Sequence, residues 1–310
     1  NFYAALRKVR SLSFAIVCYR PIETVVARVC FEGREASASE GEGFAMHKIG
    51  FLGCGNMARA IIAGVLAKGI VAPGEIIASA RTQATIDAAH ERFGIDVTLD
   101  NAEACKASVV FLAVKPQMYE SVIVEAAPHF SSETVLVSIA PGKTLAWLSD
   151  ASGLAKVVRL MPNTPAAVGE GMTSVVIGEG CTAEDADLVL EIVDSFGKSE
   201  RIPEHLMDAA SAAAGCSPAY VYMMIEAMAD AAVLEGMPRA QAYRFAAQAV
   251  VGAGKMVLES GQHPGALKDA VCSPGGTTIA GVRALEEGGL RAAAMNAVIA
   301  AYRRTLELKQ

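Results

Sequence analysis

Charge is scarce in this 310-residue chain: Asp, Glu, Lys and Arg make up only 19% of it, and the formal net charge is -6. The Lys and Arg residues are spread along the sequence with no basic stripe, so the electrostatic footprint of a phosphate-backbone binder is missing and no nucleic-acid partner is expected. Long apolar runs are missing as well. The best candidate, residues 209–225, falls short of the ~20 residues that a bilayer core requires. It also contains Gly215, Ser217 and Pro218, so no membrane span is expected. The seven cysteines include no CxxC pair and no spacing suited to a metal. An odd number of scattered thiols reads as reduced cysteine in a cytoplasmic protein without a metal site. Cys54, Cys216 and Cys272 read as small side chains where space is tight.

Apolar residues, in contrast, are abundant at 53%, much of it Ala, Val and Met in the last hundred positions, a surplus that predicts a buried subunit interface. The length suits two domains. Residues 1–45 differ from the rest. They begin at Asn1, carry Arg7, Lys8 and Arg10 before a short apolar run, and end in a polar stretch. Arg20 and Pro21 cut the apolar run short, while Glu32 and Glu35 argue against a transit peptide. The expectation is an N-terminal extension outside the fold, with Met46 as the functional start.

From Lys48 the chain alternates short apolar runs with helical stretches: KIGFL, a helix over residues 56–68, EIIASA, a helix over 83–93, IDVTL, a short helix near Asn101, SVVFLAV, TVLVSIA and KVVRLMP. Strands that are apolar throughout belong to a parallel sheet covered on both faces. The fold class is therefore α/β, a Rossmann-type doubly wound parallel sheet over residues 46–204. A hairpin-like TSVVIG, a helix over 182–196 and a strand over 198–202 close it. Beyond Glu204, Ala-rich helices punctuated by Pro238, Pro264 and Pro274 form an all-helical domain over residues 205–310. Its helices are apolar on more than one face, as at Met223, Met224, Met228, Val233 and Leu234, which suits packing against another subunit.

Gly53, Cys54, Gly55, Asn56, Met57 and Ala58 follow the first strand and open a helix, the context that a GxGxx(G/A) dinucleotide turn demands. Gly53 permits the tight turn, Gly55 lets a pyrophosphate approach the backbone, and Ala58 lets the helix pack on the strand. The diphosphate is expected at the helix N-terminus, on free amides and the dipole. A site for NAD places an acid at the end of the second strand, but that strand ends Ala78, Ser79, Ala80, Arg81, Thr82. Ser79, Arg81 and Thr82 suit a 2′-phosphate, so the cofactor expected is NADP (NADPH), with NAD as a second possibility. The carboxyl ends of the other strands should line the same crevice. They carry Asn101, then Ala113, Val114, Lys115 and Pro116, then Ser138, Ile139 and Ala140, and finally residues 161–165.

The helical half offers one loop suited to a substrate: Ser273, Pro274, Gly275, Gly276, Thr277 and Thr278, leading into a helix over 279–286. Two glycines, free amides and two hydroxyls at a helix start make a carboxylate site. As a bare motif the loop serves equally well as a helix cap.

Taken together, GCGNMARAI, LAVKP, SIAPG, MPNTP, GCSPAY and LKDAVCSPGGTTIAGVRALEEGG resemble the pyrroline-5-carboxylate reductase family. The resemblance runs from Lys48 to near the C-terminus and leaves residues 1–45 outside. It implies NAD(P)H-dependent reduction of 1-pyrroline-5-carboxylate to L-proline. It also implies a helical domain interleaved with that of a second subunit, as a homodimer or a larger ring of dimers. By position, Ala113, Val114, Lys115, Pro116, Ser138, Ile139 and Ala140 would contact the ribose and nicotinamide, and Asn101 the adenosine end. Ser273, Gly275, Gly276, Thr277 and Thr278 would grip the substrate carboxylate, with the Thr278 hydroxyl near the ring nitrogen. The family spelling SGSGPAY appears here with Cys216 and Ser217, and Cys272 stands where Thr or Ser is frequent.

The chemistry agrees with an imine. Carbonyl reduction develops an alkoxide and needs a proton donor beside it, yet residues 211–224 contain neither Lys nor His. A cyclic imine can be protonated before hydride arrives. Two other readings stay open on sequence alone: a hydroxy-acid dehydrogenase of the same architecture, and a non-catalytic NADPH-binding interaction protein.

Overall fold

The computed structural model describes residues 47–308. The expected extension over residues 1–45, and Met46, lie outside the described residues.

Strand β1 (Ile49–Leu52) feeds α1 (Asn56–Lys68), and the same alternation continues through β2 (Ile76–Ser79), α2 (Gln83–Phe93), β3 (Asp96–Thr98) and α3 (Asn101–Ala104). Next come β4 (Val109–Leu112), α4 (Tyr119–Ala126), β5 (Val135–Ser138), α5 (Leu145–Ser152) and β6 (Val157–Met161). Helices α4 and α5, eight residues each, escape the sequence reading because two turns are too few for a 3.6-residue period to stand out.

The strands are ordered β3-β2-β1-β4-β5-β6 and run parallel. Strand β7 (Gly171–Ile177) then turns back antiparallel on β6, and after α6 (Ala183–Asp194), β8 (Gly197–Arg201) pairs parallel with β7. This order reverses direction between β1 and β4, the switch point where open α/β sheets bind ligands beyond their carboxyl ends. All four residues of β1, β2, β4 and β5 are buried, which is what helices on both faces require and why these strands read as unbroken apolar runs. At the centre Phe51 of β1 stacks on Phe111 of β4 with ring centroids 5.0 Å apart.

After β8 the described chain is helical: α7 (Met207–Ala210), a π-helical stretch at Ser211–Gly215, α8 (Ser217–Leu234), α9 (Arg239–Ser260), α10 (Pro264–Ala270), α11 (Thr277–Glu287) and α12 (Leu290–Glu307). Its buried cluster is small, made of Ala229, Ala242 and Ala246. Met223, Phe245, Leu258 and Met295 are all largely exposed. Apolar area of this extent on one chain calls for a covering partner. No described helix is long and apolar enough to cross a membrane.

Candidate active site

The glycine turn is shaped by two different constraints. Gly53 has φ +99°, and a Cβ there would lie 2.9 Å from the Ala113 carbonyl oxygen and from the Val114 side chain, so the fold itself demands glycine. Gly55 has no atom within 4 Å of where its Cβ would be. The glycine there leaves room in front of the α1 N-terminus, whose amides receive no side-chain cap. An uncapped helix start behind an open cradle fits a dinucleotide pyrophosphate. Arg59 fixes the turn from the side, donating from Nε to the Cys54 carbonyl at 3.2 Å and from Nη2 to the Thr85 carbonyl at 3.3 Å. Ala58 is fully buried in the core beneath it. Cys54 is buried as well, and burial pushes its thiol pKa up, which suits a packing residue better than a redox one.

A cleft of about 430 Å³ opens beside this turn, and its walls bring together Gly53, Gly55, Arg81, Asn101, Ala113, Val114 and Lys115 from separate strand ends. Thr82, Thr85 and Leu99 complete one side, and Met118, Ser121, Val122 and Glu125 of the α4 region the other. Asn56 and Met57 start α1 next to the turn, and Pro116 opens the short turn Pro116–Met118. Arg81 has no ion pair among the described residues, so its charge is available to a ligand.

Several expected contacts are placed differently. Ser79 is fully buried, its hydroxyl 2.6 Å from Asn101 Oδ1 and 3.2 Å from the Phe51 carbonyl. It is not part of the cleft wall, whereas its partner Asn101 is. Ser138 and Ala140 are buried, and neither they nor Ile139 line the cleft. The end of β5 is held instead by Tyr119, whose hydroxyl donates to the Leu112 carbonyl at 2.5 Å and accepts from the Ile139 amide at 3.3 Å. Burial pushes the Tyr119 pKa up to about 12, so it stays a neutral strut. Asn163 also turns away: its Nδ2 donates to the Ala214 carbonyl and its Oδ1 accepts from the Met172 amide, tying β6 to the π-helical stretch.

The second loop lies outside this cleft. Gly275 has φ +66°, which the turn reserves for glycine, while a Cβ at Gly276 would fall 2.3 Å from the Ser273 hydroxyl and displace that side chain. Helix α11 starts at Thr277, two residues earlier than its apolar pattern indicates, which makes Thr277 and Thr278 part of the first turn. No side chain caps it. The hydroxyls therefore do not serve as the N-cap, and Ser273, Gly275, Thr277 and Thr278 are exposed around free amides.

Sequence reasoning missed Arg59, Thr85 and the α4 wall, Glu125 above all. Arg59 follows Ala58 directly, and its four-residue offset from Gly55 on a helix start was the available signal. Glu125 carried none, since it reaches the cleft from a helix 24 positions after Asn101.

Known proteins resemble this chain at both ends. Residues 204–308 match the family described as pyrroline-5-carboxylate reductase dimerisation, and residues 48–142 match the one described as NADP oxidoreductase, coenzyme F420-dependent. The pyrroline-5-carboxylate reductase of Escherichia coli (strain K12) is 50% identical over 85% of this chain and 98% of its own length. That of Arabidopsis thaliana is 43% identical over 85% and 96%. Among solved structures, the pyrroline-5-carboxylate reductase of Coxiella burnetii superposes with a TM-score of 0.79 at 33% identity, covering 86% of this chain and 99% of its own. The Plasmodium falciparum pyrroline carboxylate reductase, solved with NADP bound, gives 0.75 at 31% identity over 86% and 100%.

Proposed function

The chain belongs to the pyrroline-5-carboxylate reductase family, and on that premise we propose that it reduces 1-pyrroline-5-carboxylate to L-proline with NADPH, the last step of proline biosynthesis. The observation that carries this reading is similarity at 50% identity over 98% of a reductase of that name. It is an NAD(P)H-dependent oxidoreductase acting on a C=N bond, and nothing found favours a hydroxy-acid dehydrogenase or a non-catalytic NADPH-binding protein.

Residues 46–204 hold the cofactor, which supplies the hydride when bound. The open cradle at Gly55 and the first α1 amides take its pyrophosphate, Arg81 the 2′-phosphate, and Lys115 the ribose side. Residues 205–310 carry the substrate. The amides of Thr277 and Thr278 anchor its carboxylate, that of Gly276 being taken by the Ser273 carbonyl at 3.0 Å, and the Thr278 hydroxyl bonds the ring nitrogen. No side chain has to donate a proton during hydride transfer, because the imine is protonated beforehand. Catalysis by this chain is therefore mainly positioning. The enzyme is a homo-oligomer in which the exposed apolar faces of α8, α9 and α12 pair with those of a second copy. Since residues 273–278 lie away from the cleft of their own chain, that pairing is what brings a substrate loop to a cofactor. The compartment is the cytoplasm, where the five described cysteines, all free, stay reduced.

The direct test is oxidation of NADPH and NADH followed in the presence of pyrroline-5-carboxylate, with hydroxy acids as the competing substrates. Replacing Thr278 with Ala is expected to cut kcat/KM roughly 10-fold to 100-fold, the value of one lost hydrogen bond of ~1.4 to 3 kcal/mol. An unchanged value would remove Thr278 from the mechanism.

A further inference from the structure

The end of β2 carries no acid to read an adenosine ribose, yet the cleft holds one. Asn101 and Glu125 stand together in its wall, with Asn101 Nδ2 donating to Glu125 Oε1 at 3.2 Å. The amide of Asn101 has one possible orientation. A carboxylate only accepts, so the NH2 group faces Glu125, and the amide oxygen faces the Ser79 hydroxyl, 2.6 Å away. Ser79 lies closer to Asn101 than to the Phe51 carbonyl at 3.2 Å, so its single hydroxyl proton goes to Asn101.

The pair therefore presents a fixed N–H beside a carboxylate whose sole partner among the described residues is Asn101. A ribose hydroxyl both accepts and donates, and matches that combination. A 2′-phosphate only accepts and carries negative charge, and matches Arg81, Thr82 and Thr85 in the same cleft. The cleft thus contains recognition chemistry for both forms of the cofactor.

We propose that Glu125 is a specificity-determining residue that tilts this cleft toward NADH, opposing Arg81, with Ser79 acting as the positioning residue that orients Asn101 between cofactor and carboxylate. The inference rests on the cleft being the adenosine site of the proposed reductase. Two effects of Glu125 act in the same direction: its carboxylate accepts from a ribose hydroxyl, and its charge repels a 2′-phosphate.

The test is calorimetric titration of the full chain with NADPH and with NADH, without substrate, for the wild type, Glu125→Gln, Glu120→Gln and Arg81→Ala. Glu125 is exposed and glutamine keeps an acceptor for Asn101, so the fold is not at issue. Glu120 lies on the same helix, is exposed and is absent from the cleft wall, which makes it the control for net charge. Glu125→Gln should raise the preference for NADPH over NADH by roughly 3-fold to 10-fold, the scale of a partly screened charge contact. Glu120→Gln should leave the preference where it is, and Arg81→Ala should lower it by about 10-fold. An unchanged or reversed ratio in Glu125→Gln, or an equal change in Glu120→Gln, overturns the proposal. If Arg81→Ala still shifts the ratio in that case, the adenosine site stands and only the role of Glu125 fails. If Arg81→Ala is also silent, the placement of the cofactor fails with it.

Discussion

Valine at position 55 is expected to lower kcat/KM for NADPH by roughly 100-fold to 10,000-fold while leaving the melting temperature almost unchanged. The magnitude corresponds to two charge-assisted hydrogen bonds of about 1.5–3 kcal/mol each, lost when the pyrophosphate can no longer reach the α1 amides. The unusual part is the silence in stability. Gly55 has φ -81° and ψ -171°, extended backbone that valine adopts readily, and nothing stands within 4 Å of its Cβ position. The side chain would project into the cleft and touch no part of the fold. Gly53, two residues earlier, is the necessary contrast. At φ +99° and with backbone 2.9 Å from its Cβ position, Gly53→Ala damages folding itself, by roughly 1–3 kcal/mol for the strained conformation. Steady-state kinetics at varied NADPH, together with circular-dichroism melts of both variants, separate the two roles. A Gly55→Val enzyme with wild-type KM would move the pyrophosphate elsewhere.

The same two glycines show how far the sequence could be read. A turn between an apolar strand and a helix is a local object, so its residues and the bounds of α1 and α2 follow from spacing and caps alone. The strand ends were legible in the same way, since parallel topology sends them to one edge of the sheet. What the strand pattern cannot give is which way a polar side chain at that edge faces. Ser79 and Ser138 end strands that are buried along their whole length, so their polarity does not place them on the surface of the cleft. Glu125 is the reverse case. It enters the cleft from a short helix with too few turns to announce its face, and its partner Asn101 lies 24 positions earlier in the chain. The loop at residues 273–278 was legible as chemistry but not as a place, because spacing along the chain does not tell that it lies outside the cleft at the strand ends.

A second large effect is expected far from the cofactor, at the junction between sheet and helices. Arg159 in β6 is 3% exposed and donates from Nη1 to Glu204 Oε1 at 2.5 Å, and the same oxygen accepts the Leu145 amide at 2.8 Å. One carboxylate thus joins β6, the start of α5 and the chain just beyond β8. Removing it by Glu204→Ala leaves a guanidinium buried without a counter-charge and one helix-start amide without an acceptor. That should cost about 3–5 kcal/mol. Removing the other partner costs less. In Arg159→Met the buried charge disappears, and Glu204, about a third exposed at 34%, regains water while still accepting from Leu145. The double variant should accordingly be more stable than Glu204→Ala alone, because methionine relieves the uncompensated charge that alanine creates. Urea denaturation at one fixed protein concentration, needed because the oligomer makes stability concentration-dependent, measures all three. Equal losses in the two single variants, or a double variant no better than Glu204→Ala, would mean that the junction is held by apolar packing and that the ion pair contributes little.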